Sequence, residues 1–300
     1  MRILAVVLLI YVFTSDIPIA ILGANAQQVI NPFGWDDTFF YSWFKNSSWP
    51  YGVIFYDLDP HLTPHMLHAI NHVIKYLNSL DTCVQWLQRN PYSFDDNVQS
   101  WISFVHYKDS PNATVCSSLL NRINGQQFIK IGTYCAAERL PAPLDLENTL
   151  LHEMGHAMGL LHEHQRPDRD CYVYISPFLL NAKRKNFRRI PGKRFPSGFP
   201  YDVDSIMHYV PANLRLFHYH ADSIRKLGRV DATLSVLDIH KLNHLYCGRR
   251  SYCEEHNSCN GFYNFAVQQP LCFRQGPTYT KRPEGPVPVF TEDVSLYEEM

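Results

Sequence analysis

The 300-residue chain is 46% apolar, 14% aromatic and only 18% charged. That is ample material for a packed core in one large or two modest domains, and it excludes a disordered or collagen-like protein. Its 27 Lys and Arg against 28 Asp and Glu give a formal net charge of −1, so neither nucleic acid nor a membrane surface is the expected main partner.

Met1-Arg2, the apolar run Ile3 to Phe13 and Ala24-Asn25-Ala26 read as a secretory signal peptide over residues 1–26. Thr14-Ser15-Asp16 and Pro18 stop the run short of the ~20 apolar residues a spanning helix needs. Export makes the eight cysteines an expected disulfide set. Asn46-Ser47-Ser48 and Asn112-Ala113-Thr114 fit the glycosylation acceptor pattern.

Residues 27–48 show no helical periodicity, and a strand-like stretch then runs from Trp49-Pro50 through Tyr56. Thr63-Pro64 opens a helix whose Leu67, Ile70, Val73, Ile74 and Leu77 share one face. Trp101 to Tyr107 and Gln126 to Ile131 are expected strands. A helix is expected from about Asp145 to Leu161, ending near Gly159, and Ser235 with Asp238 forms a capping box that opens a last helix to Tyr246. After Cys247-Gly248 come three cysteines in loop-like sequence and a proline-rich tail. Strands followed by helices predict an α+β fold.

The stretch His152-Glu153-Met154-Gly155-His156-Ala157-Met158-Gly159-Leu160-Leu161-His162 carries the chemistry. His152 and His156, four apart, leave a helix on one face and can hold one ion. Glu153 can reach a water beside that ion as general base. Gly159 can take the left-handed conformation that ends a helix, returning His162 as a third ligand. Three protein ligands leave one position for water, the arrangement of a catalytic zinc site.

This elongated motif, followed by Ser205-Ile206-Met207-His208-Tyr209 as a Met-turn, resembles the metzincin peptidases. His162 through Asp170, Tyr201-Asp202-Val203-Asp204 and the closing helix from Leu234-Ser235 to Tyr246 resemble the astacin family in particular. The resemblance implies a metzincin-type α+β domain over residues 49–247, with a cleft between an upper sheet-plus-helix half and a lower helical half. Residues 27–48 would be a short propeptide, and residues 248–300 a Cys-containing segment and flexible tail. It implies one Zn2+ per chain on His152, His156 and His162, and Glu153 as the catalytic base. Tyr209 would stabilise the transition state, and Met207 would form an apolar floor. Glu163 would receive a new N-terminus after activation. Protein or peptide substrates are implied, cut at internal bonds by a secreted proenzyme. Leu160 and Val203 stand where an aromatic residue is common, and His164 where glutamine is usual. Cys83 would pair with Cys247, and Cys116 with Cys135. Three tail cysteines cannot pair among themselves, so one of Cys253, Cys259 and Cys272 is expected to reach Cys171.

Weaker signals have plainer readings. His65, His68 and His72 share a helical face but lack a flanking acid, so an ordinary polar face is expected. His240 and His244 are expected surface or cap residues. The basic cluster from Lys183 to Arg194 is expected to be a solvated face, with weak contact to acidic polysaccharide as the alternative. Asp36 or Asp37 is a candidate latency ligand to the metal. The rival function is an exported binding protein that keeps the fold without turnover.

Overall fold

The structure is a computed structural model that describes residues 33–90, 98–108, 115–137, 145–175, 180, 184–210, 216–218 and 227–259. The expected signal peptide, Asn112, Lys183 and Cys272 lie outside the described residues. The elements are α1 (Asp37–Ser47), β1 (Val53–Leu58), α2 (Pro64–Ser79), β2 (Gln85–Gln88), β3 (Ser100–Tyr107), β4 (Gly125–Gly132) and α3 (Leu146–Ala157). They continue with β5 (Val173–Ile175), α4 (Arg184–Phe187), β6 (Leu216–His218), α5 (Val236–Cys247) and α6 (Tyr252–Glu255).

The main sheet has the order β2-β1-β3-β4 with every pair parallel. Parallel strands need covered faces and long crossovers, and α2 supplies one. Thr63 caps α2 by accepting the Met66 N–H, Pro64 sits at its first turn, and Met66, Ile70, Val73 and Leu77 are buried along it. They share a core with Ile54, Ile102, Phe104, Ile129 and Ile131 of the sheet and with Leu150, Leu151 and Met154 of α3. A second, smaller core gathers Val173, Ile175, Phe187, Tyr201 and Leu227, with Val203 and Tyr209 against it. The chain is α+β, as expected from the sequence. Next to β4, Ser117 runs antiparallel and exchanges both backbone hydrogen bonds with Lys130 at 3.0 and 2.9 Å.

Two expectations need correction. Residues 37–47 form a helix, where the sequence shows no period. Asp36 caps it by accepting the Phe39 N–H, and Phe40 and Phe44, one turn apart, are buried. The helix exists because those two rings have an apolar seat, Phe44 lying 5.4 Å from the Tyr246 ring of α5. The helix expected to reach Leu161 stops at Ala157. Gly159 has φ +95°, and a Cβ there would overlap the Asn121 amide and the Phe44 ring.

Cys83–Cys247 and Cys116–Cys135 are bridged, and Cys253 is bridged to Cys259. Cys171 is disulfide-bonded as well, with its partner outside the described residues. One of the eight cysteines is then left over, so non-reducing peptide mapping is expected to find Cys171 joined to Cys272. In a second test, Phe44→Ala is expected to lower stability by about 3–5 kcal/mol in denaturant titration, because it empties a buried aromatic site. A loss below about 1 kcal/mol would mean that α1 is not packed into the domain.

Candidate metal centre

Helix α3 starts at Asp145, whose Oδ1 accepts the Asn148 N–H at 2.7 Å, and it presents His152 and His156 on one face. Its end is held by side chains from elsewhere. Trp49 Nε1–H donates to the Ala157 carbonyl at 2.8 Å, the Tyr246 hydroxyl donates to that of Met158 at 3.0 Å, and the Asn121 N–H donates to that of His156 at 2.9 Å. These bonds satisfy carbonyls that a helix terminus leaves without partners. At Gly159 the chain reverses, with the Gly159 N–H on the His156 carbonyl and the Leu160 N–H on that of Gly155. The reversal returns His162 to the helix face.

The three imidazoles converge. His162 Nε2 lies 3.1 Å from His152 Nε2 and 3.0 Å from His156 Nε2. Each Nδ1–H is engaged on the far side: His152 donates to the Ile206 carbonyl at 2.8 Å, His156 to that of Leu160 at 2.9 Å, and His162 to Gln165 Oε1 at 2.9 Å. Because Nδ1 carries the hydrogen in all three, each Nε2 offers a lone pair and none can donate to another. Burial, followed by the neighbouring His152 imidazole, pushes the His156 pKa down to about 3, and burial followed by His156 puts His162 well below its usual value. Three neutral lone pairs facing one point repel unless a cation sits between them. The donor set and its anchored far nitrogens therefore fit a metal ion. Among the described residues, these three form the one group of His, Cys, Asp or Glu whose ligand atoms come close enough to share an ion.

Glu153 is buried beside this point, and its Oε2 accepts the Ser118 hydroxyl at 2.8 Å. Burial raises its carboxyl above the ordinary range, only partly offset by His152 and Ser118. Nothing in the sequence reading pointed to Ser118. It lies 35 residues from Glu153, and its one signal was that it follows Cys116. Tyr209 borders the same cleft of approximately 280 Å³, its ring 4.9 Å from that of His162. Burial, then Glu153, raises its hydroxyl far above the usual phenol value.

Below α3, Met207 lies against Gly155 so closely that a Cβ at Gly155 would strike its sulfur. The turn that carries Met207 is tied to α5: Asp238 accepts the Ser205 hydroxyl at 2.7 Å and the Ile206 N–H at 2.9 Å. Glu163 is fully buried. Its Oε1 accepts from Arg166 at 3.1 Å and from the Asp202 N–H at 2.9 Å, and its Oε2 from Lys241 at 2.8 Å. Burial alone would raise this carboxyl, but Lys241 and Arg166 outweigh it and hold the pKa below the ordinary value. Groups within the chain thus already engage both oxygens of the residue expected to receive a new N-terminus.

Asp36 and Asp37 do not reach the imidazoles. Asp36 is the cap of α1, and Asp37 accepts the Ser197 N–H at 3.1 Å and its hydroxyl at 2.5 Å. His72 pairs with Glu147 at 2.8 Å. His240 lies 3.1 Å from the Arg250 carbonyl and His244 meets that of Arg249, but both rings are half-buried rather than on the surface, against Phe199, with His244 also bonded to the Tyr41 hydroxyl. Within the basic cluster, Arg189 pairs with Asp170 at 3.2 Å and Lys193 lies over the Phe39 ring.

The sequence profile of the peptidase family described as Astacin matches residues 43–247. Zinc metalloproteinase nas-36 of Haemonchus contortus is 29% identical over 216 residues, covering 68% of this chain and 32% of that protein. The dorsal-ventral patterning protein tolloid of Drosophila melanogaster is 28% identical over 220 residues, 68% of this chain and 19% of that protein. The chain thus spans a third or less of the length of these curated relatives. Among solved structures it is similar to high choriolytic enzyme 1, a hatching enzyme zinc-protease from the medaka Oryzias latipes. The TM-score is 0.52 at 25% identity, covering 68% of this chain and 96% of that one.

A chelator is expected to lower the unfolding temperature of the purified protein, and Zn2+ to restore it. At a hundredfold excess over Kd the gain is about 2.7 kcal/mol. His162→Ala is expected to abolish the restoration; a zinc response unchanged in that variant would place the ion elsewhere.

Proposed function

The chain belongs to the astacin family of peptidases, and on that premise we propose that it is a secreted zinc endopeptidase, made as a proenzyme, that hydrolyses internal peptide bonds. The observation that carries this reading is the convergence of three Nε2 lone pairs within 3.1 Å beside a buried carboxylate. His152, His156 and His162 would hold one zinc. When bound, zinc supplies Lewis acidity, drawing the pKa of water toward about 7 and polarising a carbonyl oxygen.

The remaining work falls to the chain. Glu153 takes the proton of the attacking water, while the Ser118 hydroxyl, 2.8 Å from both its Oε2 and its backbone carbonyl, holds the carboxylate in place. Buried beside the three imidazoles, it can take a proton and return it to the departing amine. Tyr209 stays protonated, so its hydroxyl can donate to the oxyanion that develops on the substrate carbonyl. Peptide as the substrate class is supported by membership of the peptidase family matched over residues 43–247.

Secretion is supported by the leader at residues 1–26 and by bridged cysteines, which persist in oxidising compartments. No helix among the described residues is long and apolar enough to cross a membrane. Asn46 is exposed on α1 and open to glycosylation. No observation favours the inactive binding protein, since all three imidazoles, the base and the tyrosine are present.

Glu153→Gln is expected to lower kcat on a mixed peptide pool by about 10²- to 10⁴-fold while zinc content holds. Ser118→Ala should lose less, with KM nearly unchanged. Turnover by Glu153→Gln at the wild-type rate would remove the general base from this reading.

A further inference from the structure

Resting on the peptidase reading above, we propose that His164 is the positioning residue for Tyr209. It holds the phenol by stacking on its ring and by accepting the Tyr209 backbone N–H.

His164 is 0% exposed. Its ring centroid lies 4.0 Å from that of Tyr209 with the planes tilted by 30°, so the imidazole face covers the phenol ring in close contact. Phe187 meets Tyr209 edge-on at 5.7 Å and His164 at 5.5 Å. Both imidazole nitrogens of His164 face main chain. Nδ1 accepts from Tyr209 N–H at 3.4 Å, and Nε2–H donates to the Asn186 carbonyl at 3.0 Å. One tautomer satisfies both, and the ring cannot turn without losing one. Arg169 Nη1 donates to the His164 carbonyl at 3.0 Å and to that of Phe187 at 2.5 Å. One buried guanidinium therefore fixes both the residue and the wall behind it.

Tyr209 needs such a support. Among the described residues its hydroxyl makes no hydrogen bond, so contacts on its ring and the bond at its backbone nitrogen set where the oxygen lies. Tyr209 borders the cleft and His164 does not, so His164 acts through its neighbour. The glutamine usual at this place in the family has no ring to stack.

The test is a double-mutant cycle read two ways. His164→Ala is expected to lower kcat about tenfold, with KM within about twofold and zinc content unchanged, because misplacing one group costs rate more than binding. In a Tyr209→Phe background the same change should cost less than about twofold. His164→Phe, which keeps the ring contact but loses the acceptor for the Tyr209 N–H, should fall between wild type and His164→Ala. The second reading is the fluorine NMR resonance of 3-fluorotyrosine placed at position 209 of the full chain, stripped of metal. His164→Ala is expected to move it toward the free-amino-acid position, and His164→Phe to move it less. Because this signal needs no turnover, it decides the positioning even if the wild type cleaves no peptide. The proposal falls if the two substitutions simply multiply, if His164→Phe is as impaired as His164→Ala, or if the resonance does not move.

Discussion

Three imidazole lone pairs held within 3.1 Å of one another are a repulsion, and much of this structure serves to keep them there. Each ring is pinned through the nitrogen that does not face the others. The pins are the Ile206 carbonyl, the Leu160 carbonyl and the Gln165 amide, one from each segment that surrounds the site. A ring free to rotate could turn its lone pair away. The pins keep the three lone pairs converged on one point, ready for a cation. That is how a fold prepares a site before the ligand is bound.

The pins depend in turn on a buried charge cluster. Glu163, Arg166, Asp168 and Lys241 are all nearly inaccessible, and they pair at 2.8 to 3.1 Å. Ion pairs in such a place seldom add net stability over well-packed apolar side chains, but leaving one member unpaired is costly. The cluster therefore acts as a register device. The segment after His162 can lie in one place only, where Glu163 meets both Lys241 of α5 and the Asp202 N–H. Asp238 works in the same way for the neighbouring turn, since it completes the capping box of α5 by accepting the Ser235 N–H and also accepts from Ser205 and Ile206. The carbonyl that pins His152 belongs to that same Ile206.

What the sequence made legible follows from locality. His152, Glu153, His156 and Gly159 could be read because a single helix and its stop fix their mutual positions. Ser235 and Asp238 declared their helix through a capping box that needs only residues 235–238. The role of Ser118 could not be read, because its partner lies across the cleft. Helix α1 was hidden for another reason. Phe39, Phe40, Tyr41, Trp43 and Phe44 have middling helix propensity and blur any period, and only the seat offered by Tyr246 decides which rings turn inward. The tail's pairing likewise became legible only once Cys253 was found bridged to Cys259.

Helix α1 also bears on the site itself. Its Ser47 hydroxyl accepts from the Asn121 amide at 3.1 Å, and Asn121 holds a left-handed φ of 58°. That conformation aims its N–H at the His156 carbonyl and its amide at Gly159. Phe44 closes on the same glycine beside it. The reversal that delivers His162 thus packs against Asn121 and the α1 ring, and the absence of a side chain at Gly159 is what lets both approach. A segment that looks like a detachable lead in the sequence therefore packs against the turn that supplies the third imidazole. Removing it would loosen the part of the site least constrained by helix geometry.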